Sequence, residues 1–250
     1  MGTPLAGRLV ILSGPSCVGK SPLARALGRL YPELRAKLAP VVLYTSRAPR
    51  PGERDGVDFH FRSREQVEAL RTDEAYAVLD VRGDVQALDV AGLSRELEAH
   101  DALFEGNPFV GRTLQTHPRL AGVRRLSLFL SPLSAAELRF LRDEARLPLA
   151  EFVAEVMRRK LLRRMRRQNG ELSMRELEEV ERRASSAYRE LKEAHHFDHV
   201  LPNHDGEDSE HWEGFYYPIG DARRALLALA SLLRGEAPES AEHWPPDLLP

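Results

Sequence analysis

The stretch that decides the fold is Gly14-Pro15-Ser16-Cys17-Val18-Gly19-Lys20-Ser21, followed by Pro22. It matches G-x-x-x-x-G-K-[ST], the pattern of a phosphate-binding loop (P-loop). The apolar run before it predicts a buried strand over residues 8–13, and apolar residues recur at helical spacing over 21–30. A strand, a glycine-rich turn and a helix in this order direct backbone N–H groups at an anion. The sequence therefore predicts binding of a nucleoside triphosphate.

The residue types in this loop suggest individual roles. Lys20 is expected to reach the β- and γ-phosphates, and the Ser21 hydroxyl is expected to ligate Mg²⁺. Pro22 suits the first helical turn, where its missing N–H costs no hydrogen bond. Cys17 is interpreted as a small filler, because no neighbouring base in the sequence would activate it as a nucleophile. Residues 14–22 are thus the predicted binding set for the cofactors ATP and Mg²⁺.

Composition narrows the class of protein. The chain has 250 residues, of which 42% are hydrophobic, enough for one sizeable core. Its formal net charge of -2 argues against nucleic acid as a partner. A single cysteine excludes intramolecular disulfides and cysteine-rich zinc sites, which favours a cytoplasmic location. No stretch approaches the ~20 apolar residues of a membrane span, so no membrane partner is expected.

Strands and helices alternate along the rest of the chain. Apolar runs predict further strands over 41–45, 126–130 and 199–201, and helical spacing predicts helix over 134–194 and 221–233. Gln168-Asn169-Gly170 is expected to break the long helical stretch, and a second polar helix is expected from about Ser173. Strands separated by helices imply an α/β fold with a parallel sheet that is flanked by helices.

The loop after the second predicted strand carries a candidate site for an anionic acceptor. It reads Tyr44-Thr45-Ser46-Arg47-Ala48-Pro49-Arg50-Pro51-Gly52-Glu53-Arg54-Asp55-Gly56-Val57-Asp58-Phe59-His60-Phe61. Arg47 and Arg50 lie three apart on a proline-stiffened loop, and guanidinium groups bind phosphate oxygens bidentately. Glu53 is placed to orient one of them. From composition alone, a solvated arginine-rich loop is an equally good interpretation.

Together with the P-loop, this stretch resembles the guanylate kinase family, in which T-S-R-x-P-R-P-G-E-x-D-G-x-D-F-x-F is a long, specific pattern. Later segments over 128–134, 181–184 and 197–203 are also similar. The resemblance implies a P-loop kinase core, a small acceptor-binding domain and a mobile helical lid, which is enlarged here. It also implies transfer of the γ-phosphoryl group from ATP, with Mg²⁺, to a nucleoside monophosphate, GMP by default.

The resemblance further implies arginines at both ends of the reaction. Two on the acceptor loop would hold the acceptor phosphate, and two from the lid would contact the phosphates in transfer. The acceptor arginines are Arg47 and Arg50, and the lid arginines are Arg183 and one within 163–167, taken as Arg167. With the P-loop lysine, they would neutralise charge on the moving group in a direct in-line transfer.

The sequence departs from the family where guanine and its phosphate are read. Leu43 stands where family members usually carry a serine, and Phe59 where they carry a phosphate-binding tyrosine. A base-reading glutamate is expected near 78–80, where Asp80 is the only acid, and a tyrosine pair expected near 82–89 is missing. Each lost hydrogen bond costs about 1–3 kcal/mol, so guanine discrimination weakens unless other groups replace them. Phe59 and Asp80 are retained in the predicted acceptor site.

A further strand is predicted to end at Glu105, next to the P-loop. The family carries an acidic pair, D-x-D, at this place, and this chain reads Glu105-Gly106-Asn107. We interpret Glu105 as the second acidic group of the site, acting through a metal-bound water or on the acceptor. The alternative is a solvated carboxylate at the end of a strand.

The stretch 157–167 reads MRRKLLRRMRR and lies where the resemblance expects a shorter lid. Its apolar residues recur four apart, so one helix face is apolar and arginines surround the rest. Three interpretations stay open. They are a solvated helix whose arginines pair with Glu151, Glu155 and neighbouring acids, a lid that brings arginines to the phosphates, and a surface for an anionic partner.

The predicted organisation consists of a nucleotide-binding core and three attachments. The core comprises 1–42, 100–141 and 195–234, the acceptor domain 43–99, the helical lid 142–194 and the C-terminal arm 235–250. The arm is rich in prolines and acids, and we expect it to be extended or partly disordered.

Three functions are compatible with the sequence. The first is phosphoryl transfer from ATP to GMP by a monomer or homodimer. The second is phosphorylation of another phosphate-bearing small molecule, such as ribose 1,5-bisphosphate or a modified nucleotide. The third is a non-catalytic module that binds a partner. Intact Gly14, Gly19, Lys20 and Ser21 argue against the third, because a binding module has no need of a triphosphate loop.

Overall fold

The structure is a computed structural model that describes residues 7–50 and 52–249. The first six residues of the predicted core, Pro51 of the acceptor loop and Pro250 of the predicted arm lie outside the described residues. In the part of the chain that is described, no helix has the length and apolar character needed to cross a membrane. The strands are β1 (Arg8–Ser13), β2 (Leu38–Pro40), β3 (Tyr44–Thr45), β4 (His60–Phe61), β5 (Tyr76–Val81), β6 (Asp84–Asp89), β7 (Asp101–Gly106), β8 (Arg124–Ser131) and β9 (His199–Pro202). The α-helices are α1 (Lys20–Leu30), α2 (Pro32–Arg35), α3 (Arg64–Ala69), α4 (Val90–Glu96), α5 (Pro108–Thr116), α6 (Ala135–Arg139), α7 (Leu149–Asn169), α8 (Met174–Lys192) and α9 (Gly220–Arg234).

The strand, loop and helix predicted around the P-loop are confirmed. Residues 9–12 of β1 are fully buried, as a continuous apolar run requires. Gly14 and Gly19 have φ angles of 147° and 105°, which residues other than glycine rarely adopt. Pro22 lies in the first turn of α1, where no intrahelical N–H is lost. The glycines of the motif are therefore needed for the backbone path itself.

A five-stranded parallel sheet has the order β2-β7-β1-β8-β9. It confirms the predicted α/β fold with a parallel sheet flanked by helices. The single strand predicted over 41–45 is wrong, because β2 ends at Pro40 and β3 begins at Tyr44 in another sheet. A continuous apolar run does not mark where one strand ends and the next begins.

The chain divides into two compact units. The first comprises 7–11, 37–104 and 109–125, and the second comprises 12–36, 105–108 and 126–249. The predicted division into core, acceptor domain, lid and arm stays a prediction.

The first unit contains a four-stranded mixed sheet in the order β4-β3-β6-β5. β3 pairs parallel with β4 and antiparallel with β6, and β6 pairs antiparallel with β5. The turn between β5 and β6 is Arg82-Gly83, with φ angles of 55° and 88°, the left-handed backbone of a tight hairpin. Val67 of α3 packs with Val85 and Ala87 of β6 in a small apolar core. The sequence predicted neither β5 nor β6, because an arginine at the first turn position does not signal a left-handed backbone.

The second unit is mainly helical. The helical stretch predicted over 134–194 breaks at 170–173, as Gln168-Asn169-Gly170 predicted, so that α7 and α8 form a hairpin. A further interruption at 145–148 was not predicted. Gly170 ends α7 with a φ angle of 73°, and Ser173 begins α8 with a capping box that includes Glu176. The apolar face of α7 is buried, as the four-residue spacing predicted. Its buried residues include Val153, Met157 and Leu161.

The residues after Gly235 form an extended arm that packs on the second unit. Val200 of β9 and Glu242 exchange backbone hydrogen bonds of 2.8 Å in each direction. Trp244 is 1% exposed, and its indole N–H donates to Glu242 Oε2 at 2.6 Å. Of the two states expected from composition, the extended arm is the one observed. One large aromatic side chain outweighs the polar composition around it.

We predict that Trp244→Ala lowers the free energy of unfolding by about 3–5 kcal/mol, because it removes a fully buried aromatic side chain. Urea denaturation followed by circular dichroism would measure the change. Tyr216→Ala is the matched control, since that side chain is 89% exposed. Equal stability of the two variants would contradict the packing of the arm.

Candidate active site

The P-loop holds its lysine close to the backbone. The buried Lys20 ammonium donates hydrogen bonds to the carbonyl oxygens of Gly14, at 2.8 Å, and Pro15, at 2.7 Å. Gly19 precedes α1 and has no side chain to cap it, so the N–H groups at the start of the helix favour an anion. Burial raises the pKa of the Cys17 thiol above its usual range, so Cys17 is a neutral filler of the loop.

Glu105 lies at the P-loop, where the sequence placed it. The Ser21 hydroxyl donates to Glu105 Oε1 at 2.5 Å. Burial raises the pKa of Glu105, and the hydrogen bond from Ser21 and the charge of Lys20 oppose that rise without cancelling it. Two oxygen groups, a hydroxyl and a carboxyl, therefore lie together at the start of α1.

Arg183 of α8 also contacts the P-loop. Its guanidinium Nε donates to the Ser16 hydroxyl at 3.2 Å, and Glu179 lies 3.7 Å from the same nitrogen. The side chain is buried, so its charge acts on the loop with little screening from water. The structure thus brings together Lys20, Ser21, Glu105 and Arg183, four residues that the sequence proposed for catalysis or metal binding.

Arg167 is placed differently. Its guanidinium pairs with Glu210 at 3.0 Å, and about half of its side chain is exposed. The charge of Arg164, one turn earlier on α7, opposes the rise in the pKa of Cys17, as does that of Arg183, and it lowers the pKa of Glu207 beside the loop. The role predicted for Arg167 stays a prediction, and Arg164 becomes the stronger candidate within 163–167.

Four other basic residues of α7 are paired with acids or carbonyl groups. This observation supports the interpretation that the arginines pair with Glu155 and neighbouring acids, although the partners lie beyond the helix as well as on it. The pairs are Arg158 with Glu155 and Glu181, Arg159 with Glu155, Arg163 with Asp208, and the buried Lys160 with Asp208 and the His204 carbonyl.

Glu207 is a residue of the site that the sequence did not reveal. Its Oε2 accepts a hydrogen bond from the Gly19 N–H at 2.9 Å, a donor that P-loops direct at phosphate. Burial alone would raise the pKa of Glu207, but the charges of Lys20 and Arg164 and the Gly19 N–H hold it below its usual value. Glu207 is one of several acids in a charged loop and belongs to no motif, so the sequence does not indicate that it lies at the P-loop.

The segment that carries Glu207 packs directly under the P-loop. The buried Asn203 side-chain amide donates to the carbonyls of Val18 and Asp205, both at 2.7 Å. Gly206 approaches so closely that an added Cβ would lie 2.1 Å from the Cys17 carbonyl oxygen. Asn203 ends the stretch 197–203, which resembles the guanylate kinase family. This resemblance is the one feature of the sequence that could have indicated a role for Asn203 near the P-loop.

The acceptor loop of the first unit is held by one carboxylate. Glu53 accepts two hydrogen bonds from the Arg47 guanidinium, both at 2.7 Å, and one from the Arg50 backbone N–H at 2.8 Å. The Arg47 guanidinium carbon lies 4.8 Å from the Phe59 ring centroid and 5.5 Å from that of Phe61. Glu53 therefore orients Arg47, as the sequence suggested, and the Phe59 ring supports the same guanidinium.

Asp80, another residue of the predicted acceptor site, lies apart from these arginine contacts. Asp80 pairs with Arg71 at 2.9 Å and Arg64 at 3.8 Å, and 64% of its side chain is exposed. Leu43, where the family reads the base with a serine, is buried. A role for Asp80 in acceptor binding stays a prediction.

Comparison with known proteins shows which family combines these features. Residues 6–79 match the family model described as Guanylate kinase. Over 222 residues the chain is 31% identical to a guanylate kinase of Synechococcus sp. (strain JA-3-3Ab), which covers 85% of this chain and 83% of the relative. The chain belongs to the guanylate kinase family. The predicted family and the prediction of a P-loop kinase are thereby confirmed.

Other relatives agree with this family membership. A guanylate kinase of Rhodococcus jostii (strain RHA1) is 31% identical over 202 residues, or 80% of this chain and 81% of the relative. The crystal structure of guanylate kinase from Anaplasma phagocytophilum superposes with a TM-score of 0.53 at 18% identity, covering 93% of this chain and 87% of that one. At that identity the similarity shows that the fold is shared.

The ion pair of Glu53 leads to a prediction about acid stability. Burial would raise the pKa of Glu53, but its hydrogen bonds from Arg47 and Arg50 lower it below the ordinary 4.5. The pair therefore stabilises the fold fully above about pH 4.5, and this stability is lost as the pH falls through the lower folded-state pKa. We expect Glu53→Gln to destabilise the protein by about 1–3 kcal/mol at neutral pH and by less at about pH 3.5. Urea unfolding of both proteins at each pH would test this, and a difference independent of pH would contradict it.

Proposed function

We propose that this chain is an ATP-dependent kinase that transfers the γ-phosphoryl group to GMP. The observation that supports it most is that Lys20 and Arg183 both contact one P-loop. Two cations at this place can neutralise a phosphoryl group in transfer. The names of the similar relatives, all guanylate kinases, favour GMP over a sugar phosphate and over a non-catalytic module.

The proposed cofactors are ATP and Mg²⁺, and the residues present fit both. The Gly19 N–H already donates to a carboxylate, so the loop suits an anion such as phosphate. Ser21 and Glu105 present oxygen atoms, which are the ligands that Mg²⁺ prefers. When bound, Mg²⁺ would neutralise phosphate charge. Ser21 and Glu105 would hold it at the start of α1.

The chain's own cations would provide the remaining stabilisation. Lys20 would exchange its two backbone carbonyl partners for phosphate oxygens of the bound nucleotide. Arg183 is already at the loop, and its buried position means that little reorganisation is needed as charge develops. We assign the second lid arginine to Arg164 rather than Arg167, because Arg167 is paired with Glu210 at 3.0 Å, whereas the charge of Arg164 acts on Cys17 and Glu207 beside the loop.

The acceptor phosphate would bind at Arg47 and Arg50. Glu53 fixes the plane of Arg47, so this guanidinium is oriented before the acceptor arrives. Phe59 keeps the ring of the family's tyrosine and loses the hydroxyl, so its proposed part is to support Arg47. We further propose a cytoplasmic monomer or homodimer that acts on a small molecule, in line with the single cysteine and the net charge of -2.

We predict that Lys20→Ala lowers kcat/KM for ATP by at least about a hundredfold, because it removes the cation closest to the phosphates. A coupled assay of ADP release with GMP would measure it. AMP, CMP, UMP and ribose 1,5-bisphosphate would be compared as acceptors. Turnover with one of these and none with GMP would overturn the proposed acceptor and leave the kinase assignment in place.

We predict that Arg47→Ala raises KM for the acceptor by about tenfold or more and leaves KM for ATP nearly unchanged. Arg54→Ala on the same loop is the matched control, because Arg54 is exposed. The result would be read from initial rates at varied acceptor and at varied ATP. Equal acceptor KM values for the two variants would remove Arg47 from the acceptor site.

A further inference from the structure

One donor of the P-loop is already occupied by a side chain of the same protein. Glu207 Oε2 accepts the Gly19 N–H at 2.9 Å, and Gly19 is the residue that precedes α1. Near the start of a helix, a carboxylate gains both the hydrogen bond and the favourable end of the helix dipole. A phosphate oxygen would gain the same two contributions at this donor.

The charges around Glu207 are those expected for a bound anion. Lys20 and Arg164 both act on its carboxylate, and they hold its pKa below the usual value although burial opposes them. Glu207 is therefore ionised at neutral pH. A carboxylate and a phosphate that share one donor and the same cations repel each other, so both cannot be accommodated there together.

The backbone on either side of Glu207 is fixed. Asn203 binds the Val18 carbonyl, and the Trp212 indole N–H donates to the carbonyls of Asp205, at 2.8 Å, and Gly206, at 3.0 Å. On the far side, Asp208 lies 3.2 Å from the Arg163 guanidinium. Because the backbone is anchored before and after Glu207, its carboxylate is presented to the loop by a rigid support.

We propose that the Glu207 carboxylate takes the place of a phosphate oxygen in the nucleotide-free protein and is displaced by the incoming nucleotide, so that this residue sets nucleotide affinity. The inference rests on the proposed function, since it concerns the same triphosphate site. Only the Glu207 side chain needs to turn away, because the anchors at Asn203 and Trp212 involve other groups. Nucleotide binding therefore carries the cost of breaking one charge-assisted hydrogen bond.

The test compares Glu207→Gln with the wild type by isothermal titration calorimetry. Inorganic pyrophosphate and ATP are the probes, so the readout needs no catalysis. Glutamine keeps the size and removes the charge, and we expect both probes to bind about tenfold more tightly. Glu213→Gln is the matched control, because Glu213 belongs to the same segment and its side chain is 72% exposed. The control should bind both probes with wild-type affinity.

The outcomes separate the inference from the proposed function. Equal or weaker binding of pyrophosphate by Glu207→Gln overturns the inference, whether or not the wild type is a kinase. Wild-type protein that binds pyrophosphate yet transfers no phosphoryl group from ATP to any acceptor overturns the proposed function alone.

A measurement on the wild type covers the case in which the variant does not fold. The ¹³C signal of the Glu207 carboxyl group, followed over pH, should report a pKa that rises when saturating pyrophosphate is added. A pKa that pyrophosphate leaves unchanged would overturn the inference.

Discussion

The second unit depends on one constraint, which is that the backbone donors at the start of α1 must face an anion. The φ angles of Gly14 and Gly19 turn the chain so that these N–H groups point in one direction, and no side chain of Gly19 can cap them. The protein meets this constraint internally at Gly19, whose N–H donates to Glu207. Lys20 meanwhile donates to two backbone carbonyls of the same loop. Charged groups of the site are thus satisfied in place before any nucleotide binds, which preorganises the loop.

In the acceptor loop of the first unit, the charge that must be matched within the protein is positive. Arg47 is a largely buried guanidinium, and a buried charge needs a partner and a defined orientation. Glu53 supplies the partner and Phe59 supplies a ring against the guanidinium face. Phe59 has no hydroxyl, so its ring can support the arginine but cannot donate a hydrogen bond to an anion.

Much of the fold was predictable from the sequence because its signals are local. The P-loop glycines, the apolar run of β1 and the four-residue spacing of α7 each require one structure over a short stretch. The β5–β6 hairpin was not predictable, since its turn residue Arg82 adopts a left-handed backbone that its identity does not favour. Glu207 was missed for a related reason. Its position depends on how Asn203 and Gly206 pack under the loop, which is a tertiary contact without a sequence period.

The two stretches in which the chain departs from the family pattern, α7 and the segment after Asn203, are bound to each other. Lys160 binds the His204 carbonyl, Arg163 pairs with Asp208, and Arg167 pairs with Glu210. The charges of the basic helix and of the acidic segment largely cancel, so the net charge stays near neutral. The same pairing leaves few arginines for an outside anionic partner. The pairing also divides the arginines of α7 and α8 by their partners. Arg163 and Arg167 are engaged by the acidic segment, whereas Arg164 and Arg183 act on the loop and on the glutamate beside it.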